Sequence, residues 1–283
     1  MLFIGDIFGK PGRISIKRFL SEIKKKYSID FVIANIENSA HCKGITLRIL
    51  RSLSEYGVDF FTLGNHSWSK TEELEEIFST YKNIVRPLNL SSSFKYYNLG
   101  MGSRAFQHNG INIRITNLIG TSVAFKNQQT NCFKVFDDFL AQLKEKSQEK
   151  ELHIVDFHSE TTSEKNAFLW AFNGQVSAIL GTHTHIPTND YVITQEGTAY
   201  ISDVGMTGPS CGIIGGKKES IISKFFHPEE KFKLEAEEGP IQLCSVVMTF
   251  NRKNYKPISI EPVIIREGFS SDKYSVENFS LKN

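Results

Sequence analysis

Val176-Ser177-Ala178-Ile179-Leu180-Gly181-Thr182-His183-Thr184-His185 is a short apolar run that stops at a glycine and then presents two histidines. Five to eight apolar residues bounded by turn residues read as a buried strand, here Val176–Leu180, rather than a helix. Imidazoles just past its end belong where ligands bind, because strand C-termini line the crevice of an open α/β sheet. Working outward, the same pattern recurs in Leu2–Asp6, Phe31–Glu37, Phe60–Leu63 and Leu152–Phe157, each running into polar residues, with Ala199–Val204 ending near Asp203. Amphipathic segments separate them. Residues 13–27 carry Ile16, Phe19, Leu20, Ile23 and Tyr27 on one helical stripe. Thr46 is placed to cap a helix bearing Leu47, Leu50 and Leu53, with Gly57 at its end. Further helices are expected over 70–80, 132–148 and 162–173, and a short strand near Ile84. His108-Asn109-Gly110 predicts a hairpin within 103–119, and 241–250 with 256–265 a second antiparallel pair around Asn254. Strands alternating with helices in both halves give an α/β architecture.

Composition sets the outer limits. A chain of 283 residues with 40% apolar and 23% charged residues is that of a folded globular protein. Net charge of +2 argues against a dedicated polyanion binder. No run approaches the ~18 apolar residues of a membrane helix. Asp6 breaks the N-terminal apolar run early, so no secretory leader is read there. Cys42, Cys132, Cys211 and Cys244 form no C-x-x-C pair, which speaks for buried thiols in a reducing, cytoplasmic setting and against a structural zinc knot.

Five expected strands end in a metal-competent or catalytic residue type: Asp6, Glu37-Asn38, Asn65-His66, His158 and His183-x-His185. Taken singly, each is ordinary turn or surface chemistry. Five strand ends in succession are not, since all would converge on one sheet edge. Carboxylate, amide and imidazole donors without thiolate suit a two-metal site of iron or manganese, with zinc as the alternative. His183 and His185 share a face if that segment is extended and serve different metals if it turns. His41, His108, His153 and His227 lie outside the pattern.

The order of these motifs resembles the calcineurin-like metallophosphoesterases, and within them the YmdB-like bacterial phosphodiesterases. The resemblance covers roughly residues 1–268. It rests on Gly5-Asp6-Ile7-Phe8-Gly9-Lys10-Pro11-Gly12-Arg13, Glu37-Asn38-Ser39-Ala40, Lys43-Gly44-Ile45-Thr46 and Leu63-Gly64-Asn65-His66-Ser67-Trp68. It continues in Asp156 through Lys165, in His183 through Asp190, and in Ser202 through Pro209. Phe8 stands where the wider superfamily has a histidine, which is typical of the YmdB-like branch. His41-Cys42 and Pro187 depart from relatives at the rim.

The resemblance implies a four-layer α/β/β/α sandwich with one metallophosphoesterase domain over 1–268 and a polar tail over 269–283. It implies one metal on Asp6, Glu37 and His185 with Asn38 close by, and a second on Glu37, Asn65, His158 and His183. His66 matches the general acid. The implied reaction opens 2′,3′-cyclic nucleotides to 3′-nucleotides by attack of a metal-bridging hydroxide. Because they sit beside motif residues, Trp68 and Phe8 are candidates to stack the base, the alternative being ordinary packing next to the site, more so for Phe8 than for Trp68. Self-association and RNA-processing protein partners are further expectations, with no membrane association. Competing expectations are a phosphomonoesterase or nuclease on the same scaffold, and a regulatory protein acting on RNA turnover through partners. An amidohydrolase barrel is disfavoured, because its histidine pair would be expected on an early strand.

Overall fold

A computed structural model describes residues 1–126, 128–146 and 150–269. The polar tail expected over 269–283 lies, beyond Phe269, outside the described residues. In chain order the elements begin with β1 (Leu2–Ile4), β2 (Asp6–Ile7), α1 (Gly9–Lys26), β3 (Val32–Asn35), α2 (Leu47–Glu55) and β4 (Phe60–Thr62). A 3-10 turn over Asn65–Ser69 leads to α3 (Leu74–Thr80), β5 (Ser103–His108), β6 (Ile111–Ile119) and α4 (Cys132–Lys146). Then come β7 (Leu152–His158), α5 (Thr162–Phe172), β8 (Ala178–Thr182), β9 (Val192–Ile193) and β10 (Ala199–Ile201). The described chain closes with β11 (Met206–Pro209), α6 (Lys218–Phe226), β12 (Ile241–Phe250) and β13 (Pro257–Arg266).

The strands form two sheets. One has the order β2-β11-β12-β1-β3-β4, with β13 paired to β12; the other runs β5-β6-β7-β8-β10-β9. Period-two alternation sorts their residues into layers. Leu2, Ile4, Val32 and Ala34 face α1 and α2, packing on Ile16, Phe19, Leu50 and Leu53. Their neighbours Phe3 and Ile33 face inward and meet Ile115, Ile154, Leu180 and Ile201 of the other sheet. Val155, Phe157 and Ile179 face outward onto Phe136, Phe168 and Phe172 of α4 and α5. Strands buried on both faces account for the near-continuous apolar runs seen in sequence. The result is the expected four-layer α/β/β/α sandwich.

Several boundaries differ from the sequence expectation. α1 begins at Gly9 rather than 13, since Pro11 fits a first turn whose N–H groups have no helical partner. The 70–80 helix starts only at Leu74, after the 3-10 turn. Near Ile84 there is a single bridge to Phe61 instead of a strand. Leu2–Asp6 divides at Gly5: β1 pairs with β12 and β3, whereas β2 pairs with β11. β9, β11 and α6 had no clear signal. The Asn109-Gly110 hairpin forms as expected, both residues at positive φ (47° and 76°) as a type I′ turn requires.

His153 illustrates a buried imidazole with a structural role. It is enclosed on β7, with Nε2 2.8 Å from the Thr116 hydroxyl. Burial, aided by the Arg114 charge, pushes its pKa down to about 3. The unfolded chain therefore takes up this proton first, near pH 6.5, and stability falls as pH drops from there toward 3. The expected slope is about 1.4 kcal/mol per pH unit from this group. Urea unfolding between pH 7 and 4 should show a shallower decline for His153→Gln than for wild type.

Candidate metal centre

Both sheets deliver residues to one edge. Asp6 lies in β2, Glu37 and Asn38 in the turn after β3, and Asn65 and His66 at the start of the 3-10 turn after β4. His158 is the last residue of β7, and His183 and His185 follow β8. All seven expected metal donors are thereby brought together, with His66 alongside.

One group centres on Nε2 of His158. It lies 3.0 Å from Nδ1 of His183, 3.1 Å from Oδ1 of Asn65 and 3.2 Å from Oε1 of Glu37. Glu37, His158 and His183 offer ligand atoms that all fall within 4.8 Å of one another. The second group holds Asp6, Asn38 and His185: the Asn38 amide nitrogen is 3.0 Å from Glu37 Oε1 and 3.2 Å from His185 Nε2. Asp6 Oδ2 accepts the His183 N–H at 3.1 Å. Glu37 stands between the groups and is fully buried, with its second oxygen accepting the His66 N–H at 2.8 Å.

Each histidine has its tautomer set from outside. Thr182 Oγ1 donates its one proton to Asp156 Oδ1 at 2.7 Å, so it accepts from His158 Nδ1 at 2.8 Å. His185 Nδ1 lies 2.8 Å from the Ile214 carbonyl, which can only accept. His183 Nε2 lies 2.7 Å from the exposed Glu160 carboxylate. In all three rings an outside acceptor holds the proton of one nitrogen, so the inward nitrogen is the one that can turn to a cation, the arrangement that metal-ligating histidines need. Asn35 ties this layer together, donating to Asp156 Oδ2 at 2.9 Å and accepting from the Glu37 N–H at 3.1 Å.

The electrostatics follow from burial. Burial alone would raise the Glu37 carboxyl, but the charge and hydrogen bond of His158, with His66 and His183, hold it well below the usual range. Burial would lower His158; Glu37, then Asp6 and Asp156, lift it to about 9. Burial and the His158 charge push His183 down to about 2, and burial raises Asp6. A proton on His158 Nε2 thus points at the His183 Nδ1 lone pair 3.0 Å away, and a metal cation between the two nitrogens would remove the same repulsion. Asp6 Oδ1 and Asn38 Oδ1 are buried with no hydrogen-bond partner. Unpartnered buried oxygens, facing imidazole lone pairs and a shared carboxylate fit a cation site of mixed nitrogen and oxygen donors.

The His183-Thr184-His185 segment turns instead of extending: φ is 104° at His183 and 67° at His185. The two imidazoles therefore go to different groups. Such conformations persist only when the surroundings over-determine them. Asp203 does this here. Its Oδ2 accepts from the Thr184 N–H (3.0 Å) and hydroxyl (2.8 Å) and from Lys165 (2.8 Å), with Asp203 and Lys165 both buried.

Two expectations need correction. Trp68 is 8% exposed and stacks on Tyr96 at 5.6 Å, and Phe8 is 3% exposed with its ring edge against His185 at 5.5 Å. Neither offers a free face to a base. The structure also adds Asn35, Thr182, Glu160 and the Ile214 carbonyl to the site. Asp156 had a legible signal, since it shares a strand face with His158 two residues on. The others become neighbours only through tertiary contacts. Thr182→Val should leave the fold intact while freeing the His158 ring, and metal affinity measured by competition with a chelator should drop about 10- to 100-fold.

Known proteins share the fold and the sequence pattern of this chain. The model of the YmdB-like protein family matches residues 2–263. A 2′,3′-cyclic-nucleotide 2′-phosphodiesterase of Bacillus subtilis is 38% identical over 94% of this chain and 97% of its own length. The crystal structure of a novel phosphatase from Mycoplasma pneumoniae superposes with a TM-score of 0.89 at 42% identity, covering 98% of this chain and 97% of that one. The calcineurin-like phosphoesterase YfkN of Bacillus subtilis shares the fold alone, with a TM-score of 0.55 at 11% identity over 93% of this chain and 89% of that one. With its two-sheet sandwich and its candidate donors gathered at one edge, on a fold shared with calcineurin-like phosphoesterases, the chain belongs to the YmdB-like protein family.

Proposed function

We propose that the protein is a dinuclear-metal phosphodiesterase that opens 2′,3′-cyclic nucleotides to 3′-nucleotides. One observation carries this: two groups of inward-facing donors share a single buried carboxylate. Asp6, Glu37 and His185, with Asn38 beside them, would hold one cation, and Glu37, Asn65, His158 and His183 the other. The donor types suit iron or manganese, with zinc next. When bound, the cations supply Lewis acidity and a nucleophile drawn from water at neutral pH.

The chain's own groups do the rest. Glu37, Asp6 and the three fixed tautomers keep the donors pointed at the centre without reorganisation. His66 is half-buried at the rim, its backbone pinned to Glu37. Burial lowers its pKa and the Glu37 carboxylate opposes that. An anionic diester beside the ring acts in the same sense as Glu37, favouring the imidazolium that donates to the departing 2′ oxygen.

The substrate class is supported by the name of the Bacillus subtilis relative, and a cyclic diester needs no extended groove. A net charge of +2 argues against a dedicated polyanion binder. The test is a panel with iron or manganese supplied: 2′,3′-cyclic AMP, 3′,5′-cyclic AMP, bis-p-nitrophenyl phosphate and p-nitrophenyl phosphate. The 2′,3′-cyclic nucleotide should be turned over fastest, yielding the 3′-monophosphate. Faster monoester turnover would assign a phosphatase, in keeping with the Mycoplasma pneumoniae structure. Activity on no diester would remove the proposal. His66→Ala should lower kcat about 10²- to 10⁴-fold with metal content unchanged. Full turnover in that variant would exclude His66 as the acid.

A further inference from the structure

We infer that the turn at Ile213–Gly216 and the residue after His185 form an aliphatic shelf for the substrate's nucleobase, with Ile214 and Ile186 as its contact residues. This rests on the cyclic-nucleotide reading above. Ile213 and Gly216 exchange both backbone hydrogen bonds at 2.9 Å, which closes a two-residue hairpin loop. Ile214 and Gly215 occupy its centre at φ 43° and 97°, a type I′ turn. That turn favours asparagine, aspartate or glycine at both central positions. A β-branched residue there is an outlier, and strain of this kind gathers at functional sites.

The backbone task of Ile214 is plain: its carbonyl fixes His185 from 2.8 Å. Asparagine or glycine would present that carbonyl with less strain, so the isoleucine side chain needs a separate reason. It is no part of the core, being 51% exposed. Ile186, directly after His185, is 57% exposed. Large apolar side chains left open beside a polar metal centre suit a ligand with an apolar face. The turn is firmly seated. A Cβ on Gly215 would fall 2.7 Å from both Met206 Sδ and Phe8 Cδ1, and Phe8 packs edge-on against His185.

A nucleotide whose phosphate sits at the cations has one extended apolar surface, the face of its base. Phe8 and Trp68 are buried and cannot receive it. Aliphatic side chains carry no donors or acceptors, so the shelf should hold purines and pyrimidines alike, in proportion to their area.

The test is equilibrium binding of adenosine 3′-monophosphate and of inorganic phosphate to the manganese-loaded protein, in wild type, Ile214→Asn and Ile186→Ser. Binding needs no turnover, so this result stands apart from the substrate panel. Adenosine 3′-monophosphate should bind wild type more tightly than phosphate, and that preference should shrink about tenfold in the variants. Phosphate affinity and metal content should stay level. Thermal unfolding of Ile214→Asn should move upward as the turn relaxes. An unchanged preference for the nucleotide would overturn the inference, as would equal losses for both ligands with loss of metal, which would reduce Ile214 to a support for His185.

Discussion

A Gly64→Ala protein should fold, bind little metal and lose activity by at least about 10²- to 10³-fold. Gly64 closes the gap between β4 and the Asn65–Ser69 turn in extended backbone (φ −162°) that alanine adopts freely. The effect is therefore spatial. A Cβ would fall 2.5 Å from Nε2 of His158 and closer still to Oε2 of Glu37. One methyl group thus enters the donor cluster itself, displacing the two side chains that the proposed second cation needs. Because Glu37 also receives the His66 N–H, the shift would carry to the proposed acid. Metal analysis, circular dichroism and diesterase assay together check this. A variant with wild-type metal content and turnover would show that the cations do not sit where these donors converge.

Glu37→Gln should be at least as severe, with activity lowered by about 10³-fold or more. The amide keeps the volume and removes the one charge shared by both groups. It also places an N–H donor where Oε1 faced His158 and Asn38, or where Oε2 accepted from His66. A second, metal-free readout follows from the raised His158 pKa. A histidine lifted to about 9 when folded stabilises the fold fully below its unfolded value of about 6.5 and loses that contribution as pH rises to 9. In the metal-free Glu37→Gln protein the charge chiefly responsible is gone. Its stability should vary less with pH across that window, and the His158 resonance should titrate lower by NMR. A His158 titration identical to wild type would place the proton's partner elsewhere.

How far the sequence could be read depended on the range of the force involved. Strands such as Leu152–His158 and hairpins such as Asn109-Gly110 follow from local patterning: side-chain alternation and positive φ are properties of neighbouring residues. The four-layer sandwich was legible only through the family resemblance; the near-continuous apolar runs accord with it, since parallel strands covered on both faces must be apolar along their length. The donors at strand ends were also legible, because a polar residue closing an apolar run is a local contrast. The rim was less so. Trp68 and Phe8 read as base platforms beside motif residues, yet both are packed away, because exposure is decided by elements distant in sequence.

The sequence by itself determined the α/β class and named the candidate donor set running from Asp6 to His185. Only the tertiary structure decided how those donors are aimed. The Asp6–His183 contact spans 177 residues, Asn38–His185 spans 147 and Asn35–Asp156 spans 121. No local pattern encodes which nitrogen of His158 keeps its proton, or that the Ile214 carbonyl fixes His185. Hydrogen bonds act over about 3 Å, so their partners are settled only when folding has brought the two sheet edges together.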